Sequence, residues 1–173
     1  EGYGISDEGI NYAKENNYSL IIALDCGIKA IDKIDYANSL GIDFIICDHH
    51  LPGDELPKAC AVLDPKRSDC RYPYKELSGC GVGFKLCQGL NTIYKIPESE
   101  LFDLTDFLAI SIAADIVAMT GENRVLAKLG LKTLRKTRNL GLRLLIPQEK
   151  ISTFDISNIV FEIAPKINAA GRI

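Results

Sequence analysis

The chain has 173 residues, 47% of them hydrophobic and 25% charged, enough apolar material for one packed domain with a small appended lobe and too much for a disordered chain. Its formal net charge of −3 speaks against a blanket polyanion binder but leaves room for a local basic groove built from a few placed Lys and Arg. No apolar run approaches the roughly 18 residues of a membrane span, no signal peptide is visible, and an opening on Glu1 rather than Met suits a piece of something longer.

In chain order, Ser6 ahead of "DEGINYAKEN" predicts an N-capped helix with Ile10 and Ala13 turned inward. "SLIIAL" (19–24) is a short β-branched apolar run, the pattern of a strand covered on both faces. "IKAIDKIDYANSL" (28–40) places Ile28, Ile31, Ile34 and Ala37 at helical spacing and stops at Gly41. "DFIIC" (43–47) and "CAVLD" (60–64) read as two more strands. Strand, helix and strand with short connections make the βαβ signature of a parallel sheet.

Beyond Asp64 the pattern changes. "PKRSDCRYPY" (65–74) has no period and reads as a loop, and "GCGVGFKLCQGLNTIY" (79–94) as a glycine-led helix. "LFDLTDFLAISIAADIVAM" (101–119) predicts one long, mostly buried helix, and 123–145 a further helical stretch. That stretch carries Arg124, Lys128, Lys132, Arg135, Lys136, Arg138 and Arg143 with no acid among them. A solvated face is the ordinary reading of such a run, and a polyanion groove the sharper one. The expected fold class is α/β, a Rossmann-like parallel sheet flanked by helices and followed by a mainly helical part, with the change placed between 95 and 96. The six cysteines include no Cys-x2-Cys pair, so reduced thiols of a cytoplasmic protein are favoured over a zinc site or a disulfide framework.

Two strands end alike. "LIIAL" runs into Asp25-Cys26-Gly27, and "FIIC" into Asp48-His49-His50, which hold both histidines of the chain. In an open parallel sheet the carboxyl ends of neighbouring strands share one edge, where ligands bind. Carboxylates with imidazole and no thiolate suit Mn²⁺, Mg²⁺ or Fe²⁺. Adjacent side chains on extended backbone point opposite ways, so one histidine is expected to bind a metal and the other to face substrate or support the site. The plain alternatives are an Asp that caps a turn and a His-His pair on the surface. Asp115, in the apolar "AISIAADIVAM", is expected to be buried and therefore paired, capped or metal-bound, a ligand completing the Asp25 and His49 cluster being the sharper reading and an end-of-helix Asp with a backbone partner the plain one. In "APKINAAGRI" (164–173), Asn168 and Arg172 stand four apart, and Arg offers a planar fork for phosphate oxygens.

Together "EGYGIS" (1–6), "ALDCG" (23–27), "CDHH" (47–50), "LDPKRSDCRYPYKELSGCGVGFKL" (63–86), "IAADIVAM" (112–119) and "PKINAAGRI" (165–173) resemble the DHH phosphoesterase superfamily. Within it, "LSGCGVGFK" and "INAAGR" resemble the RecJ-like single-strand-specific exonucleases. The resemblance implies 5′–3′ degradation of single-stranded DNA in repair and recombination with Mn²⁺ or Mg²⁺, two ions in the complete enzyme. It implies Asp25, His49 and Asp115 as metal ligands, with Asp48 and His50 as the remaining catalytic members of the motif. Asn168 and Arg172 would face the substrate phosphate, and Tyr3 would contact a nucleotide or simply pack. Single-stranded DNA is the implied partner, with a single-strand-binding protein or a helicase as candidate protein partners and no membrane. The family's aspartate-rich motif (Asp-x-Asp-x-x-Gly) upstream of "EGYG" and its C-terminal substrate-binding domain do not occur in these residues. The chain alone is therefore expected to show little or no nuclease activity. Two competing readings are a phosphodiesterase for short oligonucleotides or cyclic dinucleotides and a non-catalytic nucleic-acid-binding module.

Overall fold

The computed structural model describes residues 4–147, 149 and 151–170. The chain divides into two compact units, 1–86 and 87–173, with the division inside a helix.

The first unit is built on a parallel sheet. Helix α1 (Asp7–Glu15) starts where Ser6 Oγ accepts from the Gly9 amide, with Asp7 and Glu8 suiting the positive end of the helix. Strands β1 (Leu20–Leu24), β2 (Asp43–Cys47) and β3 (Ala61–Leu63) pair in that order, all parallel. Helix α2 (Ile31–Ser39) joins the first two strands. It begins later than its periodicity predicts, because Gly27 at φ +111° turns the chain and leaves Ile28 and Lys29 in a turn. One face of the sheet, with Ala23, Phe44 and Ile46, closes on Ile10 of α1 and Ile34 and Ala37 of α2. The other face does not meet the expectation for β1. Leu20, Ile22 and Leu24 are 44, 47 and 54% exposed, so this edge strand is covered on one side only. Alternation, not a continuous apolar burial, is the pattern the structure shows there.

Helix α3 (Gly79–Tyr94) spans the run predicted for it. The second unit is helical: α4 (Glu98–Asp103), α5 (Thr105–Ala114), α6 (Gly121–Leu134), α7 (Leu140–Leu145), and α8 (Ile156–Asn158) passing through a π-helical turn, Ile159–Ile163, into α9 (Ala164–Ala170). The single helix expected over 101–119 is thus two, and it ends early. At the break, Thr105 Oγ1 donates to the Phe102 carbonyl at 2.6 Å, diverting an acceptor at the junction. At the end, Ile116 takes φ +53°, a left-handed conformation costing a β-branched residue about 1–2 kcal/mol, and Asp115 becomes the C-cap. The stretch over 123–145 is also interrupted, at residues 135–139. There Thr137 Oγ1 donates to buried Asp106 at 2.5 Å and accepts from the Asn139 amide at 3.1 Å. Asn139 Oδ1 then starts α7 by accepting from Leu142 at 3.1 Å.

Helices α5 and α6 meet closely at Gly130, where a Cβ would overlap the Thr105 carbonyl oxygen and come within 2.8 Å of the Ala109 Cβ. Gly130→Ala gains helix propensity of about 1 kcal/mol but forces the backbones apart, and a net loss of about 1–3 kcal/mol is expected. Urea denaturation reads it, and an unchanged or raised midpoint would show that the helices separate without cost. No helix among the described residues is long and apolar enough to cross a membrane.

Candidate metal centre

Strand register brings three acids to one edge. Leu24 pairs with Cys47 and Cys47 with Leu63, so the residues that follow, Asp25, Asp48 and Asp64, stand side by side. The ladder runs on through them: the Asp25 amide donates to the Cys47 carbonyl at 2.8 Å and the Asp48 amide to that of Leu63 at 3.0 Å. Sequence reasoning found the first two and missed Asp64, although "CAVLD" ends as the other strands do.

Asp48 is 1% exposed and accepts from four donors. Oδ2 takes the Ile28 amide at 2.9 Å, and Oδ1 takes the His49 amide at 2.8 Å, the His50 amide at 3.2 Å and His50 Nδ1 at 2.7 Å. Burial pushes this carboxyl upward, but the donors from Ile28, His50 and His49 outweigh it and hold it below the usual carboxylate range. Asp48 is therefore an anion that folds the loop around itself and fixes the His50 ring. Asp64 is the opposite case. Burial, then the charge of Asp48, pushes its carboxyl above the usual range. Its Oδ1 accepts from the Lys66 amide at 2.7 Å, while Oδ2 is buried without a hydrogen-bond partner.

His49 is buried, and its Nδ1 lies 3.0 Å from the Leu77 carbonyl oxygen. A carbonyl only accepts, so that nitrogen carries the proton and Nε2 turns its lone pair outward. Nε2 meets Asp25 Oδ1 at 3.2 Å, one acceptor against another. Two acceptors at that distance call for a positive charge beside them, either a proton or a metal ion. Asp25 itself sits at φ +68°, outside the strand conformation. Its carboxylate lies against the first residue of α3, where a Cβ on Gly79 would overlap it.

The two histidine rings do not diverge as neighbours on a strand would. Regular strand ends at Cys47, and the rings lie edge to face with centroids 4.7 Å apart at 68°. Asp25, His49 and His50 each bring a possible ligand atom to a cluster within 4.8 Å. An oxygen and two imidazole nitrogens, with no thiolate, fit a divalent transition ion such as Mn²⁺ better than the oxygen-seeking Mg²⁺.

The remaining candidates lie in the second unit or outside the described residues. Asp115 is not buried, contrary to expectation. It is an exposed C-cap whose Oδ2 accepts from Ser111 Oγ at 3.3 Å. An anion at the negative end of a helix is electrostatically unfavourable. Asn168 is exposed on α9. Tyr3 and Arg172 fall outside the described residues.

The family model for the N-terminal domain of the DHH family matches residues 4–112. Among curated proteins, the chain is 44% identical over 178 residues to the single-stranded-DNA-specific exonuclease RecJ of Bacillus subtilis, covering all of this chain and 22% of that protein. It is 35% identical over 185 residues to RecJ of Escherichia coli, covering all of this chain and 32% of that one. The chain thus spans about a third or less of these relatives' length. Among solved structures, exonuclease RecJ bound to manganese superposes with a TM-score of 0.85 at 32% identity, covering 99% of this chain and 43% of that one. RecJ of Thermus thermophilus in complex with Mn²⁺ gives 0.78 at 28% identity, covering 95% and 24%. The match to the family model takes in the whole edge from Asp25 to Asp64 and more than half of the residues, and the chain accordingly belongs to the DHH family.

Proposed function

We propose that this chain is catalytic-core material of a metal-dependent nuclease that removes nucleotides from the 5′ end of single-stranded DNA in repair and recombination. The observation that carries the reading is the meeting of Asp25, His49 and His50 at the carboxyl edge of the sheet. The RecJ proteins it resembles are named for action on single-stranded DNA and are seen with manganese, which supports the substrate and the choice of a divalent ion such as Mn²⁺.

In this reading Asp25 and His49 hold the ion, and it is the family resemblance that adds Asp115 as a ligand. The chemistry such an ion supplies when bound is neutralisation of phosphodiester charge and a lowered pKa for a bound water. The chain's own part is positional. The Leu77 carbonyl keeps the proton on His49 Nδ1, so that Nε2 stays a donor of electrons. Asp48 keeps His50 oriented through Nδ1, which leaves the other ring nitrogen to join the ligands or contact a phosphate oxygen. Asn168, Arg172 and Tyr3 serve the substrate, Arg172 through its fork on phosphate.

The test uses the complete polypeptide that carries these residues, given a long single strand with a 5′ phosphate, or dinucleotides, in Mn²⁺. Stepwise loss of nucleotides from the 5′ end, with dinucleotides poorly used, is expected, and His50→Gln should slow it at unchanged fold. Preference for dinucleotides would replace this reading with an oligonucleotide phosphodiesterase. Strand binding without turnover would replace it with a binding module.

A further inference from the structure

The sheet edge does not account for the basic stretch of the second unit. Residues 123–145 hold seven Lys and Arg and no Asp or Glu. Spread evenly around helices they would be a solvated face, but the break at 135–139 sorts them. Arg135, Lys136 and Arg138 on the turn and Arg143 on α7 gather around one concavity of about 390 Å³, floored by Leu134 and Ile146. Among the described residues no carboxylate lines it. Four like charges around a concavity repel one another, and a bound polyanion removes that repulsion.

The cations stand on fixed backbone. The Thr137 hydroxyl is tied to buried Asp106, the Asn139 amide to Thr137, and Arg135 Nη2 to the Phe154 carbonyl at 2.8 Å. Arg138 reaches Asp103 at 3.3 Å between two exposed side chains, a pair that water already weakens and a phosphate can displace. Guanidinium forks match phosphate oxygens in pairs.

We propose that this concavity is a second contact site for the phosphodiester backbone of a single nucleic-acid strand, formed wholly within the helical unit. It rests on the reading of the chain as nuclease core and adds to it a strand-holding surface that takes no part in hydrolysis. Binding there depends on salt and is indifferent to sequence.

The test is fluorescence anisotropy of the 173-residue chain with a labelled oligothymidylate, in chelator, over a series of KCl concentrations. Lys136→Gln/Arg138→Gln/Arg143→Gln is expected to weaken binding at low salt by at least about tenfold and to lower the slope of log K against log salt by about 2, since each single-strand phosphate contact contributes about 0.7. Lys136→Gln alone should show about a third of that change, and melting curves report whether each variant folds. Unchanged affinity and slope in both variants overturn the proposal, as does a wild-type chain that binds no strand at low salt. Tighter binding of a polyglutamate peptide than of the oligonucleotide assigns the concavity to an acidic protein segment and overturns it too. Hydrolysis is not read in this titration, so failure of the nuclease reading and failure of this site are separate results.

Discussion

Asp48→Ala is expected to lower the stability of the chain by about 3–5 kcal/mol, the range for stripping a buried charge from its partners. Against net stabilities of about 5–15 kcal/mol for a folded protein, that is a large share. The cause is local and countable. The carboxylate is 1% exposed and satisfies four donors, three of them backbone amides. Ala leaves those donors without their acceptor. Asp48→Asn should cost less, because its carbonyl oxygen still serves His49 and His50 while its amide group meets the Ile28 N–H head on. Urea denaturation at neutral pH measures both. An Ala variant within about 1 kcal/mol of wild type would mean that water replaces the carboxylate.

The pH dependence has a definite sign. The folded state holds the Asp48 carboxyl below its ordinary value of about 3.9, so its contribution is complete above that pH and is lost as pH falls through the lowered folded value. Asp64, raised in the folded state, works the other way: it costs stability as pH rises past the same ordinary value. The acid limb of the wild-type stability curve should therefore flatten in Asp48→Ala and steepen in Asp64→Asn.

These two acids also mark what a sequence can and cannot tell. The strands, α1 and α3 were legible, because caps and hydrophobic period are local signals. The edge of Asp25 and Asp48 followed from the rule that parallel strands present ligands at their carboxyl ends. Asp64 obeyed the same rule and was readable in "CAVLD". The function of Asp48 as the anchor of the loop was not, since its key donor comes from Ile28 across the turn between β1 and α2. Nor were the helix breaks. The turn at 135–139 contains no Pro or Gly and is set by a hydroxyl of Thr137 reaching Asp106, far back in the sequence. The burial expected of Asp115 failed for a related reason. Apolar neighbours suggested burial, but the left-handed Ile116 ends α5 and brings the acid to the surface.

The second large effect is on metal affinity, and two different substitutions should reach it. Asp25→Asn removes a charged oxygen from the cluster of Asp25, His49 and His50. Loss of a supporting partner alone costs about 10–100-fold in metal affinity, and loss of a direct ligand should exceed that. Gly79→Ala leaves all three ligand side chains in place, yet its Cβ would occupy the volume of the Asp25 carboxylate. The new methyl must drive that carboxylate off Nε2 of His49, so the variant should lose Mn²⁺ affinity in the same direction although Ala favours helix more than Gly does. Isothermal titration with MnCl₂ reads both, and it needs no catalysis. Wild-type affinity in Gly79→Ala with a loss in Asp25→Asn would show that Asp25 reaches the ion by a second rotamer. Wild-type affinity in both would remove Asp25 from the metal centre, and with it the reason that α3 begins on a residue without a side chain against the acid that follows β1.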